Sequence, residues 1–488
     1  MKKYLLLFAG LSILFTSCNN DDDGIQNGET PDPTSEEVVV QNFMWQAMNL
    51  WYFWQAEVPD LDDNRFATDA AYTQFLAATP DPLEFYNSIQ FSEDRFSFSN
   101  EDYTALVNNL NGISKSNGLE FGLVRFADSD DLFGYVRYII PGSDAASKNI
   151  QRGDLFTGVN GQTLNLNNYI DLLFGDEDTY VLNMASANGN TIEPNGEEVS
   201  LTKFEGLVEN PILVATTLDV SGTKVAYLMY NGFTRDFNDE LNNAFGQFVA
   251  DGATELVLDM RYNPGGSVNS SRLLSSMVYG TNTNDLYIRQ RWNSKIQGQL
   301  TSEQLEDYFA STVNGAPLNS LNLNKVYVLA TNSSASASEL VMNGLDPYVD
   351  VIHIGETTRG KNEFSITLVD DEDNSYIYSA SRENQINPEN SWAIQPLVGR
   401  NENANGFFDY TNGLAPDIVL EEDLTNLGIL GDPNEPLLAR ALQEITGASG
   451  KSAQFQVKLP AKVVTGSKMH TPVKDIMYLD KPLQINFK

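Results

Sequence analysis

The sequence predicts a multidomain α/β protein in which a small helical domain, a β-rich domain and an α/β layered domain follow one another. Three observations support this fold class. The chain has 488 residues, more than one hydrophobic core usually organises. Apolar residues recur at helical spacing near the start and alternate in short β-type runs farther along. From about residue 207, buried strand patterns alternate with an amphipathic helical pattern, as in α/β layers.

The first residues have the pattern of an export signal. Two lysines precede an apolar run in "MKKYLLLFAGLSILFTSCNN", and this run is too short to span a membrane. Small residues directly before Cys18, the only cysteine, resemble a bacterial lipoprotein signal. The resemblance implies a signal peptide at 1–17 and a mature chain that is anchored through a lipidated Cys18. An ordinary secretory signal with an incidental cysteine is the alternative. Residues 18–36 lack apolar periodicity and are expected to form a flexible linker.

The charge of the chain argues against two classes of partner. Its formal net charge of -36, from 66 acidic and 30 basic residues, disfavours nucleic acid and anionic membrane surfaces. The run "NNDDD" after Cys18 resembles the acidic export tag of surface lipoproteins in some Gram-negative bacteria, so the cell surface and the periplasmic face are both open. No metal or cofactor is expected, because the other acidic runs lack the spacing of a calcium loop.

Two domains are predicted ahead of the α/β layer. Residues 37–110 form the helical domain, because apolar residues of "VVVQNFMWQAMNLWYFWQ" lie at helical spacing. We interpret the tryptophans of this stretch as core rather than as a ligand surface. Residues 111–200 form the β-rich domain, in which short strands alternate with turns of Gly, Asp and Asn.

The run "PGSDAASKNIQRGDLFTGVNG", residues 141–161, is similar to part of a PDZ domain. Its Pro-Gly-Ser-x-Ala turn opens a helix, and its Gly-Asp and Asn-Gly pairs frame a hairpin. The resemblance implies that a Gly-hydrophobic-Gly loop offers N–H groups to the carboxylate of a peptide C-terminus, while the peptide adds a strand to the sheet edge. The candidate loop is "GLEFG", with Gly118, Leu119, Phe121 and Gly122 as peptide-binding residues. A plain hairpin turn is the alternative.

Three segments of the α/β domain, residues 207–435, place unusual residues directly after a strand, where such folds usually build sites. In "LDMRYNPGG", Gly265 and Gly266 let the backbone turn sharply and leave N–H groups unobstructed, as an oxyanion hole requires. In "TNSSASASEL", a serine-rich turn precedes a helical pattern, so a serine there faces a helix N-terminus. In "GETTRGK", Lys361 can act as a base only if burial or a neighbouring cation lowers its pKa.

A catalytic triad based on histidine is nearly excluded, because the chain holds only two histidines, His353 and His470. His353 lies within the strand pattern "VDVIHIG", where a histidine satisfied within the fold is expected. A Ser–Lys pair is a known variant of the triad, which makes Lys361 the candidate base. Taken alone, each of the three segments has a composition that is common in loops without a catalytic role.

Together and in this order, the three segments are similar to the carboxyl-terminal processing peptidases, also called tail-specific proteases. The matching positions are Asp259, Arg261, Asn263, Gly265 and Gly266, then Ser336, Ala337, Ser338 and Glu339, then Gly355, Glu356, Thr358, Gly360 and Lys361. In that family the nucleophile precedes the lysine by twenty-five residues, which selects Ser336. The resemblance covers roughly residues 40–435. It implies an α/β, crotonase-like layered peptidase domain behind a PDZ domain.

The resemblance also implies the chemistry, which is that of a serine endopeptidase acting on protein or peptide substrates through an acyl-enzyme. It gives Ser336 as the nucleophile and Lys361 as the general base. The oxyanion hole that the resemblance implies consists of the N–H groups of Ala337 and of Gly265 or Gly266. A non-enzymatic protein that binds peptides or apolar ligands on the same scaffold is the alternative from another class.

One position departs from the family pattern. Many members place a glutamine four residues after the lysine, where this chain has Ser365. The third catalytic residue therefore stays open between Ser365, Glu363 and a residue on another loop.

The chain ends in an extension, residues 436–488, whose structure the sequence does not decide. Residues 447–488 hold seven lysines and two acidic residues, with scattered apolar residues. A β-hairpin-like extension and a loosely held tail both fit this composition.

Overall fold

The structure, a computed structural model, describes residues 37–189, 191–447 and 461–480. The predicted signal peptide, Cys18 and the linker lie outside these residues. Among the described residues, no helix combines the length and the apolar character that crossing a membrane requires.

A helical region comes first, as predicted. Its elements are α1 (Val39–Trp51), α2 (Asp69–Ala77), α3 (Pro82–Ser88), β1 (Phe98–Asn100) and α4 (Tyr103–Leu110). Helices α2, α3 and α4 each follow a residue whose side chain accepts a hydrogen bond from the first turn, namely Thr68, Asp81 and Asp102. The tryptophans of α1 and of the turn after it are buried in a core shared with the α/β layer, as interpreted.

The β-rich region comes second and has a hydrophobic core of its own. Its elements are β2 (Ile113–Ser116), β3 (Leu119–Phe126), β4 (Leu132–Ile139), β5 (Leu155–Val159), β6 (Gln162–Thr163), α5 (Tyr169–Phe174), β7 (Thr179–Asn188), β8 (Thr191–Thr202) and β9 (Phe204–Val208). The strands β3, β4, β5, β7 and β8 pair antiparallel in that order, and β6 pairs with β5. Strand β3 is therefore the last strand of this region on one side of the sheet.

The α/β layer follows. Its elements up to the serine-rich turn are β10 (Ile212–Val220), β11 (Thr223–Tyr230), α6 (Asn238–Ala250), β12 (Glu255–Asp259), β13 (Gly266–Ser267), α7 (Val268–Val278), β14 (Leu286–Trp292), α8 (Ser294–Gln297), α9 (Ser302–Leu305), β15 (Glu306–Tyr308), β16 (Thr312–Val313), β17 (Ala316–Pro317) and β18 (Lys325–Ala330). The remaining ones are α10 (Ala337–Leu345), β19 (Asp350–Gly355), β20 (Glu363–Ser365), β21 (Leu368–Val369), β22 (Ala393–Gln395), β23 (Leu397–Asn403), β24 (Ile418–Val419) and α11 (Pro436–Thr446).

The C-terminal extension contributes two strands, β25 (Ala461–Gly466) and β26 (Met477–Tyr478), which pair with strands of the preceding regions. Strand β25 adds to β3, and β26 lies between β13 and β20. These two strands do not pair with each other, so the hairpin that the sequence allowed does not form within the described residues.

Two six-stranded sheets enclose helix α10, the helix that follows the serine-rich turn. One has the order β10-β11-β12-β18-β19-β24 and is parallel except for β10. The other has the order β13-β26-β20-β23-β14-β15. Helix α10 packs against α7 and contacts β19 of the first sheet and both β14 and β23 of the second. The fold is a mixed α/β multidomain structure with a helical N-terminal region, which confirms that part of the predicted fold class.

Candidate active site

The three segments singled out in the sequence leave the ends of neighbouring parallel strands. Strands β12, β18 and β19 end at Asp259, Ala330 and Gly355, and they are adjacent in the first sheet. Parallel strands place their carboxyl ends at one edge of a sheet, so the three loops converge there.

Ser336 occupies a strained turn directly before α10. Its φ of 63° and ψ of -112° are unusual for a residue other than glycine, and such strain costs on the order of 1–3 kcal/mol. The hydroxyl is buried and forms no hydrogen bond with any described residue. Ala337, the first residue of α10, follows directly and brings its N–H to the helix N-terminus. The turn thus places a hydroxyl group without a hydrogen bond beside the first residue of α10.

Glu339 joins the turn that contains Ser336 to the loop that contains Lys361. One carboxylate oxygen, Oε2, accepts the backbone N–H groups of Ser336 at 2.7 Å and of Lys361 at 2.9 Å. The other oxygen accepts the Gly360 N–H at 2.6 Å and the Thr358 hydroxyl at 2.5 Å. Burial raises the pKa of Glu339 to about 7, although these hydrogen bonds act in the opposite direction. In the sequence, Glu339 stands out only as a motif residue; its position three residues after Ser336, in the first turn of α10, is the signal that indicates its bonding role.

The Lys361 amine is buried and hydrogen-bonds to a carbonyl rather than to a carboxylate. Its Nζ donates to the backbone oxygen of Asp475 at 2.5 Å and lies 4.9 Å from the centre of the Phe96 ring. Burial lowers the pKa of Lys361 to about 8, and the nearby carboxylates of Asp475 and Glu363 oppose that shift. Because the Ser336 hydroxyl has no hydrogen-bond partner among the described residues, the two groups are not bonded to each other in this state.

The two glycines after β12 donate their backbone N–H groups to different acceptors. Gly265 donates its N–H to Asn263 Oδ1 at 2.9 Å, whereas Gly266 donates to the carbonyl oxygen of Ile476 at 2.6 Å. The φ angles of the two glycines are 113° and 136°, which side chains rarely allow. A Cβ on Gly265 would lie 2.7 Å from the Cβ of Ser336 and 2.3 Å from the Ile476 oxygen. The N–H of Gly265 is therefore bonded within the turn, whereas the N–H of Gly266 is bonded to the C-terminal segment.

Ser365, which stands where a glutamine is usual, does not bond to Lys361. Its hydroxyl donates to a carbonyl of β26 at 3.0 Å and accepts a hydrogen bond from Gln395 Nε2 at 3.1 Å. Gln395 lies at the end of β22, and its buried Oε1 has no hydrogen-bond partner within the described residues. Glu363 forms a salt bridge with Arg400 at 3.1 Å. The glutamine beside this position thus comes from another strand, which the linear sequence gave no means of finding.

Both histidines have environments unrelated to the serine. His353 is buried in β19 with its Nε2 3.3 Å from the Ala330 carbonyl oxygen, and burial lowers its pKa. His470 stacks on Phe174 of α5 with the ring centres 3.9 Å apart. Neither ring hydrogen-bonds to Ser336 in the described part of the chain.

The candidate peptide-binding loop leads into β3. The N–H groups of Gly118 and Leu119 donate to side chains of the two preceding residues, at 3.0 and 3.1 Å. Phe121 donates its N–H to the hydroxyl of Ser467 at 3.0 Å, and Gly122 lies opposite β25. The structure therefore places this loop against the C-terminal segment.

A buried ion network lies beneath the glycine turn. The guanidinium of Arg261 is fully buried and contacts Asp259 at 2.7 Å, Glu435 at 2.6 Å and Glu422 at 3.1 Å. Arg152 of the β-rich region also reaches Glu422, at 2.9 Å. The network consequently ties the β-rich region to the loop that carries the oxyanion candidates.

Replacing Arg261 with alanine should lower the free energy of unfolding by about 3–5 kcal/mol, because the buried carboxylates of Asp259 and Glu435 lose their counter-charge, whereas Glu422 keeps Arg152. Urea denaturation measures this change. Arg291→Ala is the matched control, since the Arg291 side chain is 51% exposed in its ion pair and should contribute about 1 kcal/mol or less. Equal losses for the two variants would contradict a special role for the network.

Comparisons with known proteins relate the chain to peptidases. Residues 224–418 match peptidase family S41, and residues 39–98 match the peptidase S41 N-terminal domain, together just over half of the chain. Carboxyl-terminal-processing peptidase 3, chloroplastic, of Arabidopsis thaliana is 26% identical over 271 residues, 52% of this chain and 48% of that protein. A carboxyl-terminal-processing protease of Synechocystis is 25% identical over 315 residues, 63% of this chain and 64% of that protein.

A crystal structure of a candidate S41 protease from Bacteroides fragilis superposes with a TM-score of 0.64 at 26% identity, covering 83% of this chain and 97% of the other. The chain spans about half the length of the first curated relatives that it matches. The two family matches, the similar fold and the loops that converge on Ser336 lead to one conclusion: the chain belongs to peptidase family S41.

Proposed function

We propose that the chain is a serine endopeptidase in which Ser336 attacks a peptide carbonyl and Lys361 accepts the serine proton. The observation that carries this proposal is the shared carboxylate of Glu339, whose single oxygen Oε2 holds the backbones of both residues. One anchor fixes the nucleophile and the base in a common frame, as a two-residue catalytic unit requires.

The reaction proceeds through two covalent steps. Attack by Ser336 Oγ forms a tetrahedral intermediate, and its oxyanion accepts hydrogen bonds from the N–H groups of Gly266 and Ala337. Collapse breaks the peptide bond, the leaving amine takes the proton from Lys361, and an acyl-enzyme remains. Water then attacks the ester while Lys361 again accepts a proton, the bond between the acyl carbon and Ser336 Oγ breaks, Oγ takes the proton from Lys361, and the carboxylic acid product leaves.

The protonation of Lys361 fits this role. A general base must be neutral before the reaction, and burial lowers the pKa of this amine to about 8. The carbonyl partner of the amine does not trap the cation as a direct carboxylate partner would.

The alternative, a binding protein without catalysis, does not account for the state of Ser336. A strained backbone and a buried hydroxyl without a hydrogen bond both reduce stability. A binding protein has no need of either feature at the start of α10, whereas a nucleophile needs a fixed position and a hydroxyl group that is not held by a hydrogen bond.

We also propose that the β-rich region captures polypeptide by strand addition along β3. The support is the pairing of β3 with β25, which shows a strand accommodated at this edge.

The test is covalent labelling with an acylating serine probe. Mass spectrometry of the labelled protein should locate the probe on Ser336 in the wild type, and Ser336→Ala should remain unlabelled. Labelling on another residue, or equal labelling of Ser336→Ala, would overturn the assignment.

A lipid anchor at Cys18 is a separate proposal, supported by the lysines, the apolar run and the small residues that precede the only cysteine. Cys18→Ser should release the protein from the membrane fraction or misplace it, which fractionation and immunoblotting measure. Unmodified Cys18 in protein extracted from membranes would rule out this anchor.

A further inference from the structure

The C-terminal segment, residues 461–480, first runs along the β-rich region. Strand β25 pairs antiparallel with β3, with Ala461 opposite Phe126 and Gly466 opposite Gly122. Beyond the strand, His470 stacks on Phe174 of α5. The segment therefore occupies the groove between β3 and α5, the edge at which a polypeptide would add a strand.

The contacts at the end of this groove suit an internal piece of polypeptide. Ser467 donates its hydroxyl to the carboxylate of Glu120 and accepts the N–H of Phe121. Lys468 donates to Glu209 at 3.0 Å and to a backbone carbonyl at 2.8 Å. A free C-terminal carboxylate at this place would face Glu120, a like charge, and a loop whose first N–H groups are already bonded.

The segment then enters the active-site cleft and engages both groups that the reaction needs. The Asp475 carbonyl accepts the hydrogen bond of Lys361 Nζ at 2.5 Å, and the Ile476 carbonyl accepts the N–H of Gly266 at 2.6 Å. Strand β26 follows between β13 and β20. A substrate carbonyl cannot reach Gly266 while the Ile476 carbonyl occupies it.

The charge of the C-terminal segment and a cavity beside it bear on both the groove and the active-site cleft. Residues 461–480 hold three lysines and two acidic residues, in a chain whose net charge is -36. A cavity of about 410 Å³ is lined by the candidate peptide loop, by Gly266 and by the segment itself, so the groove extends to the glycine turn.

We infer that groove and cleft form one binding surface for an extended internal polypeptide with hydroxyl and basic side chains, which the chain's own residues 461–480 fill at rest. The inference rests on the proposed endopeptidase function. Cleavage then requires an unfolded polypeptide to displace the segment from both places.

The first experiment fixes the segment in place with a disulfide. Lys462 and Arg125 are direct partners across β25 and β3, and opposed Cα atoms in such pairs lie within disulfide range. The test chain carries Lys462→Cys and Arg125→Cys, with Cys18→Ser to remove the only other thiol. Its matched control joins β7 to β8 through Thr179→Cys and Thr202→Cys, also direct partners. The substrate is β-casein, an unfolded polypeptide.

Oxidation should lower the cleavage rate of the test chain by about tenfold or more, and reduction should restore it, because only a released segment frees the site. The control pair should cleave equally in both redox states. Equal cleavage by the oxidised and reduced test chain would overturn the inference and leave the endopeptidase proposal standing.

The second experiment does not depend on catalysis. In the test chain with Ser336→Ala added, saturating β-casein should slow disulfide formation by about threefold or more, since a displaced β25 no longer faces β3. Formation of the control disulfide should be unaffected. An unchanged rate in the test chain would overturn the inference. Slower cross-linking without cleavage by any form would instead reject the endopeptidase proposal alone.

Discussion

Replacing Lys361 with arginine should abolish peptide cleavage as completely as replacing it with alanine. A guanidinium stays protonated throughout the range in which proteins are folded, so it cannot accept the Ser336 proton, whatever its fit. We expect kcat to fall on the order of 10³-fold or more in both variants, as for a member of a catalytic unit. Single-turnover cleavage of a quenched fluorescent peptide measures this loss.

The cleavage rate should depend on pH through the protonation of Lys361. The base must be neutral, and below the pKa its neutral fraction falls about tenfold for each pH unit. The wild-type rate should therefore rise with pH and level off above an apparent pKa of about 8. Residual cleavage by Lys361→Ala should not follow that curve.

Two further variants separate the assignments. Ser336→Ala combined with Lys361→Ala should lose little more activity than either change alone, because the residues act as one unit. His353→Gln should retain most activity, since its ring contacts the Ala330 backbone rather than Ser336. Substantial turnover by Lys361→Arg, or a loss confined to His353→Gln, would refute the assignment of Lys361 as the base.

The sequence predicted the candidate site residues that lie directly after the end of a strand. The three loop segments follow β12, β18 and β19 closely, so their convergence was predictable from the strand patterns alone. The spacing of the family that the chain resembles selected Ser336 within a run of serines, and the requirement for a neutral lysine indicated that burial or a neighbouring cation would be needed at Lys361.

Features that depend on distant pairing were not predictable. Strand β26 lies between β13 and β20, two strands that come much earlier in the sequence. Because β26 is only two residues long, no alternating pattern of apolar residues predicts it. The hydrogen bond that holds the Gly265 N–H within the turn depends on where the Asn263 side chain turns. Gln395 reaches Ser365 from a strand thirty residues later, and only the folded sheet brings them together.

Replacing Glu339 with glutamine should impair cleavage and stability together. The carboxylate accepts four hydrogen bonds, two on each oxygen. An amide replaces one oxygen by an NH₂ group, so in either orientation two buried donors lose their acceptor. Each lost partner costs about 1–3 kcal/mol, and we expect the free energy of unfolding to fall by roughly 2–6 kcal/mol.

The catalytic effect of Glu339→Gln should exceed what instability explains, because a displacement of about 1 Å between nucleophile and base can cost on the order of 100-fold in rate. The measurements are urea denaturation, kcat per folded molecule and the midpoint of the pH–rate curve, which should move as Lys361 shifts. Glu402→Gln is the matched control: Glu402 is 6% exposed on β23 and bonds to two surface arginines, so it should lose stability yet keep its rate and midpoint. If both variants kept the wild-type rate and midpoint once corrected for the folded fraction, Glu339 would be a stabilising residue only, and the shared anchor would not position the Ser336–Lys361 pair.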